Sequence, residues 1–421
     1  MTAEPHTRAV VIVGAGQAGG EAAAALRMDG HDGPIVLVGD EGHLPYTRPP
    51  LSKAFLLGKV GADELYLRPA PFYETQAIRT IIDRHVESID REAKSVLLDD
   101  GEQIAYSSLV LATGGSARHL VDPVAEAAPN VHYLRGIADV DALRPGFRPG
   151  ARLVVVGGGY VGLEVAAVAR QLGLEVTVLE AAPRLLARVA GPEVSAFFRR
   201  VHEEEGVDVR VDALVTGFAT ADDGNVTSVT LQDGSDVPAD LVLVGIGLVP
   251  NDRIAREAGL AVDGGILVDE VGRTSDPDVF AIGDCSVHPC FEHGGLRRLE
   301  SVPNASEQAR VVAAAITGDP RSYTSVPWFW SDQYDLKLQS VGLATGHDTV
   351  VVRGSTQTDR KFVVFYLKDG LVRAADVVGS PRDFGMAKKI VAGRVRLAPD
   401  RLADEDVPLK ELLAEAQVVA G

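Results

Sequence analysis

The stretch Val10-Val11-Ile12-Val13-Gly14-Ala15-Gly16-Gln17-Ala18-Gly19 returns in kind about 140 residues later as Leu153-Val154-Val155-Val156-Gly157-Gly158-Gly159-Tyr160-Val161-Gly162. Each copy joins an apolar, β-branched run to an alanine-rich stretch of helical character. In such a turn the first glycine allows a tight strand-to-helix reversal. The second lets the backbone approach a pyrophosphate, and the third lets helix and strand pack closely. The pyrophosphate rests on the free N–H groups of the helix start, favoured by the helix dipole. One such turn is weak evidence; two, each in the right context, predict two βαβ units and two bound dinucleotides.

The context is a second strand that ends beside a carboxylate. After a first helix predicted over residues 18–28 comes Pro34-Ile35-Val36-Leu37-Val38-Gly39-Asp40-Glu41. After a second, predicted over 161–172, comes Glu175-Val176-Thr177-Val178-Leu179-Glu180. A carboxylate there can bond the hydroxyls of an adenosine ribose. Glu180 stands at the expected strand end; Asp40 stands one residue late, with Gly39 in the usual slot. A protein with two such units can hold FAD and a pyridine nucleotide and pass electrons between them. Glu180 would repel a 2′-phosphate, and Arg184 follows only after Ala-Ala-Pro, so NADH is favoured over NADPH.

The chain has 421 residues, 44 glycines and 46% hydrophobic residues, which suits a compact α/β protein of two or three domains. A net charge of −18 argues against general nucleic-acid binding. Cys285 and Cys290 are the only cysteines, poor material for a disulfide framework, and no apolar run suggests a membrane span or signal core. The expected setting is cytoplasmic. The C-x4-C spacing of the cysteines is that of a redox pair, but residues 40–55, where such a pair belongs, contain none. The histidines at 202, 288, 293 and 347 share no ligand spacing, so no metal is expected.

Two strands ending in glycine, at residues 108–115 and 240–247, mark the ends of the two nucleotide units. Val279 to Asp284 and a helix-like run over 303–316 return the chain to the first. The expected domains are therefore 1–116 with 248–324 for FAD, 117–247 for NAD, and 325–421 as a small α+β domain. Residues 117–150, rich in Pro and Gly, read as a connector. In the last domain, residues 361–367 read as an alternating strand, and 383–392 and 404–416 as helices. Alternation would put Trp328 and Trp330 on one strand face, which decides neither for packing nor for function.

Further motifs are more specific than the glycine fingerprint alone: Leu44-Pro45-Tyr46-Thr47-Arg48-Pro49-Pro50-Leu51-Ser52-Lys53, Gly157-Gly158-Gly159-Tyr160-Val161-Gly162-Leu163-Glu164, Ile282-Gly283-Asp284-Cys285, Glu300-Ser301-Val302-Pro303-Asn304-Ala305, and Pro327-Trp328-Phe329-Trp330-Ser331-Asp332-Gln333-Tyr334. With these, the chain resembles, over essentially its full length, the FAD-dependent NADH:ferredoxin reductases of bacterial oxygenase systems. The resemblance implies a glutathione-reductase-like α/β fold, with two Rossmann-type domains and a small C-terminal α+β domain. It implies that Gly14, Gly16, Ala18 and Gly19 line the FAD pyrophosphate, with Asp40 at the ribose. Arg48 and Lys53 would lie beside the flavin, and Val86, Ala112, Thr113, Gly114 and Arg135 would complete the pocket. Gly283 and Asp284 would serve the ribityl chain, and Val302 and Trp330 would flank the ring.

For NADH, the resemblance assigns Gly157, Gly159, Tyr160, Val161 and Gly162 to the pyrophosphate, Glu180 to the ribose, and Glu164 and Gly247 to the nicotinamide end. Lys53, Glu164 and Trp330 would act at the reacting rings, with Lys53 and Glu164 ion-paired. The implied partner is a 2Fe–2S ferredoxin feeding a haem-thiolate monooxygenase or a ring-hydroxylating dioxygenase, with the reductase a monomer or weak homodimer. Docking an acidic ferredoxin on an acidic protein needs a local basic patch; candidates are Arg297, Arg298, Arg310, Arg382, Lys388, Lys389, Arg394 and Arg396. A rubredoxin or other carrier reductase, a cysteine-dependent NADH oxidase, and a signalling flavoprotein are the alternatives; the absence of cysteine from residues 17–284 opposes the oxidase.

Overall fold

The computed structural model describes residues 8–290 and 294–420, so His293 lies outside the described residues. The chain divides into two units: 1–48, 61–116 and 248–327 form one, and 49–60, 117–247 and 328–421 the other.

The first unit is built on a seven-stranded sheet. Its parallel part runs Ile78–Ile82, Ile35–Gly39, Ala9–Val13 and Gln103–Leu111, with Val279–Ala281 also parallel to the last. Val86–Asp90 and Ser95–Leu98 extend it antiparallel. All five residues of Ala9–Val13 are buried, as expected of a strand covered on both faces. Helix Gln17–Met28 packs along helix Val302–Ile316 on one face, through Ala18, Ala22, Ala25, Ala305, Ala309 and Ala313. Small side chains let these two helices lie close. The other face is closed by Val96, Leu98, Ile104, Leu109, Leu260 and Ile266.

The second unit has a five-stranded parallel sheet in the order Asp208–Arg210, Glu175–Leu179, Arg152–Val156, Leu241–Val244, Val131–Tyr133. The Pro/Gly-rich stretch read as a connector thus contains an edge strand of this sheet. Three residues are too short a run to register as a strand by periodicity. The C-terminal part is a five-stranded antiparallel sheet, ordered Trp328–Gln333, Leu336–Gly342, Leu371–Val378, Phe362–Lys368, Thr349–Gly354. Phe362–Lys368 is buried at every position but its last rather than alternating. It lies between two other strands, and on one face Phe362 meets Phe197 while Tyr366 reaches the backbone of Gly191. Helix Pro381–Ala392 covers the sheet, and the last helix runs Leu409–Ala420. It starts later than residue 404 because Pro408, with fixed φ and no N–H, suits a helix start rather than an interior.

Candidate active site

In the first unit, Gly14 has φ +111°, and a Cβ built on it would stand 2.2 Å from the carbonyl oxygen of Ala112. Only glycine fits. Gly19 would put a Cβ 1.9 Å from Gly14 O, so the third glycine is the contact between helix and turn. Gly16 differs: the nearest atom to its missing side chain is the Arg48 guanidinium, at 3.8 Å. Helix Gln17–Met28 starts on Gly16 with no side-chain cap and no acidic residue in its first turn. Free N–H groups, an open second glycine and a guanidinium over it form a cradle of pyrophosphate character. Arg48 is held by Glu41 and Tyr46, and Glu41 also accepts from the Tyr46 hydroxyl. Gly283 joins this edge, since a Cβ on it would meet Ala18 Cβ at 3.0 Å, and Gln308 Oε1 accepts from its N–H at 2.6 Å. Thr113 is braced by Asn251, its hydroxyl donating to Asn251 O at 2.7 Å.

The second unit repeats the turn. Gly157 has φ +107°, and a Cβ there would stand 2.4 Å from Gly245 O, while Gly159 has nothing nearer than 3.9 Å. Helix Tyr160–Gln171 starts on Gly159, again without a side-chain cap. The copies differ at one reciprocal pair. In the second, the middle glycine, Gly158, donates its N–H to Glu180 Oε2 at 2.7 Å, and a Cβ on Gly158 would press on Glu180. In the first, the middle residue is Ala15, and a Cβ on Gly39 would meet Ala15 Cβ at 2.4 Å. The bulk moves from strand end to turn, which is why Gly39 occupies the slot of Glu180. Asp40, next in line, is exposed, with His85 Nδ1 3.9 Å from its carboxylate. Glu180 also accepts from Ala182 N–H at 2.7 Å. Arg184 is spent on the Ala190 and Ala187 carbonyls and the Ser195 hydroxyl.

Glu164 is buried in the first turns of that helix. Its Oε2 accepts from Lys53 Nζ and Ser52 Oγ, each at 2.5 Å, and its Oε1 from Ser331 Oγ at 2.6 Å. Lys53 also donates to Pro49 O at 3.0 Å. The short 3-10 helix Pro49–Ser52 supplies Ser52, and the strand Trp328–Gln333 supplies Ser331. Alternation along that strand separates two roles. Phe329, Ser331 and Gln333 face Tyr160, Glu164 and His202, with the Phe329 and Tyr160 rings 4.5 Å apart. Trp328 and Trp330 lie on the other side, 5.6 Å apart, with Lys388 Nζ 4.5 Å from the Trp328 ring.

A protein-family comparison matches residues 8–309 to the pyridine nucleotide-disulphide oxidoreductases and 328–413 to the reductase C-terminal domain. The chain is 47% identical to putidaredoxin reductase of Pseudomonas putida, over 97% of each. It is 43% identical to the ferredoxin–NAD(+) reductase component of the anthranilate 1,2-dioxygenase system of Burkholderia cepacia, over 98% of this chain and 100% of that one. The structure matches the reductase of a covalent putidaredoxin reductase–putidaredoxin complex with TM-score 0.94 at 46% identity, over 97% of this chain and 99% of that one.

The chain belongs to the pyridine nucleotide-disulphide oxidoreductase family. It is a flavoprotein reductase of the ferredoxin reductase kind, and it uses FAD and NAD(H). This member carries no disulfide pair: Cys285 and Cys290 are both free and buried, and burial pushes the Cys285 thiol pKa up.

The other residues singled out from the sequence fall as follows. Val86 is buried in the core of the first unit, and Val302 is the first residue of its helix, after the Ser301 cap. Asp284 sits in a 3-10 turn, its carbonyl accepting from Arg298. In the second unit, Arg135 precedes a helix and donates its N–H to Asp139, Val161 is exposed at the turn, and Gly247 has φ +111°. Of the basic candidates, Arg298 and Arg310 are ion-paired with Glu300 and Glu307 at 2.7 Å. Ser52, Ser331, Gln333 and His202 were not among the site candidates, although Ser52, Ser331 and Gln333 lie inside motifs that carry the resemblance. Among the described residues no helix is long and apolar enough to cross a membrane, and no group of three His, Cys, Asp or Glu side chains could hold a metal.

Proposed function

We propose that this reductase takes a hydride from NADH and passes the electrons singly to a 2Fe–2S ferredoxin that feeds a monooxygenase or ring-hydroxylating dioxygenase. The observation carrying this reading is the doubled turn, with two uncapped helix starts and two glycines with no close neighbour over the missing side chain, each fit for one pyrophosphate. Bound FAD supplies the chemistry of accepting a hydride and releasing electrons one at a time. The protein's part is binding, orientation and electrostatics. Gly14, Gly16, Ala18 and Gly19 receive one pyrophosphate and Arg48 neutralises it. Gly157, Gly159, Tyr160, Val161 and Gly162 receive the other, with Glu180 at the ribose and Glu164 and Gly247 toward the nicotinamide.

Lys53 is the cation that favours an anionic reduced flavin, held in place by Glu164. Glu180, with Arg184 engaged elsewhere, favours NADH over NADPH. Trp330 flanks the flavin ring; Trp328, on the same strand face, lies under Lys388, and Lys388 and Lys389 belong to the side toward ferredoxin. The relatives that serve putidaredoxin and a dioxygenase system support the choice of partner.

The test is anaerobic titration of the FAD-loaded protein with NADH and with NADPH, then stopped-flow mixing of the reduced enzyme with a 2Fe–2S ferredoxin. Bleaching by NADH first and rapid ferredoxin reduction are expected. Rapid bleaching without electron delivery would overturn the reading.

A further inference from the structure

Behind Glu164 the hydrogen bonds continue away from Lys53 through side chains that the reading above leaves unused. Ser331 Oγ, which donates to Glu164 Oε1, accepts from Gln333 Nε2 at 3.2 Å. Gln333 Oε1 lies 2.8 Å from His202 Nε2, and His202 Nδ1 lies 3.1 Å from the Tyr334 hydroxyl. Ser331, Gln333 and His202 are each at most 1% exposed, so water cannot substitute for any link.

The polarity of the chain follows from its end. A carboxylate only accepts, so Ser331 must spend its single proton on Glu164. Its oxygen can then only accept, which turns the Gln333 amide nitrogen toward it and the amide oxygen toward His202. His202 must accordingly carry its proton on Nε2, leaving Nδ1 to accept from Tyr334. Flipping Gln333 would reverse the Ser331 hydroxyl and set two lone pairs against each other at Glu164 Oε1. One arrangement satisfies every atom. Tyr334 is the first central residue of the two-residue hairpin turn between Gln333 and Leu336, and its φ of +56° is the conformation such a turn takes.

We infer that Ser331, Gln333 and His202 are positioning residues of the redox site: a one-way chain of donors that holds the Glu164 side chain in the single orientation that meets the Lys53 ammonium. This rests on the role given to Lys53 and Glu164 above and extends it to two further elements, the strand Trp328–Gln333 and the helix Pro192–Glu204. Loss of Ser331 takes the donor from Glu164 Oε1, and loss of His202 leaves Gln333 Oε1 without its donor, so that the amide is free to flip and take the Ser331 proton from Glu164; links in series therefore share one effect rather than adding theirs.

The experiment compares Ser331→Ala, His202→Phe, their double variant, Ser331→Thr as the conservative rescue and Glu164→Gln as the reference. The FAD-loaded protein is followed by stopped-flow reduction with NADH and, without nucleotide, by hydrogen exchange of residues 53–57. Each single variant should slow flavin reduction three- to tenfold, with the Kd for NADH changed less than twofold. Exchange at 53–57 should rise in the same variants. The double variant should match the slower single, and Ser331→Thr should retain the parent rate. The buried-core variant Val363→Ala separates general destabilisation, since it should leave both readouts alone. If Glu164→Gln slows reduction while Ser331→Ala and His202→Phe do not, or if their effects multiply, the chain has no positioning role. If Glu164→Gln itself leaves reduction unchanged, the fault lies in the role given to Glu164.

Discussion

Replacing Lys53 by Met removes the only charged donor that Glu164 has among its three partners. The Glu164 side chain is 5% exposed and that of Lys53 18%, so neither charge is solvated well enough to stand alone. Orphaning a buried charge costs about 3–5 kcal/mol. Here two hydroxyl donors remain and compensate part of that cost, which leaves about 2–3 kcal/mol. For a unit of this size that lowers Tm by about 2–4 °C per kcal/mol, roughly 4–12 °C in total. Glu164→Gln costs less, about 1–2 kcal/mol, because Lys53 keeps Pro49 O and some water. In Lys53→Met/Glu164→Gln no charge is stranded, so the double variant should resemble Glu164→Gln alone. The coupling energy is then about 2 kcal/mol in favour of the pair. Thermal melts at saturating FAD hold ligand linkage fixed and give all four corners of the cycle. Single effects under about 0.5 kcal/mol that simply add would refute the argument, because the pair would then be an ordinary surface contact.

The glycine turns predict separable losses: Gly14→Ala should yield colourless protein, whereas Gly157→Ala should keep its flavin and lose at least tenfold in kcat/KM for NADH, as absorbance and steady-state rates will show. Glu180→Ala should cost about tenfold with NADH and narrow the NADH/NADPH ratio without inverting it, since Arg184 stays engaged with Ala190, Ala187 and Ser195; inversion of the measured ratio would contradict this. Lys388→Glu/Lys389→Glu should slow ferredoxin reduction at low salt, with the deficit shrinking as ionic strength rises and NADH-driven flavin reduction unaffected. Burial drives the His202 pKa down to about 4 from the ordinary 6.5. The unfolded chain therefore binds the extra proton first, and stability falls as pH drops from 6.5 toward 4, by roughly 3 kcal/mol at most. A non-titrating His202→Gln variant should show a flatter decline over that window in urea melts.

Much of the architecture was legible because it is written in local rules. Two glycine turns after buried strands specify two parallel sheets, and the cluster of aromatic residues at 328–330 marks a strand whose faces differ. What stayed illegible depends on contacts far apart in sequence. Val131–Tyr133 is a strand only because Leu241–Val244 offers it an edge. Phe362–Lys368 is buried at six of seven positions because other elements cover both its faces, which no period within the stretch can announce. Likewise, the motif around Ser331 marks the segment but not its partner; the serine becomes part of the site when Glu164, 167 residues away, turns toward it.

The two copies of the turn also explain why their strand-end carboxylates stand at different positions. Glu180 is large at the strand end, so the turn opposite must be small, and Gly158 is there to donate its N–H. Ala15 is larger, so the first strand must end in glycine, and Asp40 is displaced to an exposed position. The trade is steric and reciprocal: neither Gly39→Glu nor Ala15→Gly alone would convert the first copy into the second. The first strands a carboxylate against Ala15, and the second leaves a void. Only the pair Ala15→Gly/Gly39→Glu restores the geometry, so it should recover the folded yield that Gly39→Glu loses. If Gly39→Glu alone folds and binds flavin as the parent does, the reciprocal fit is not what keeps Gly39 in that slot.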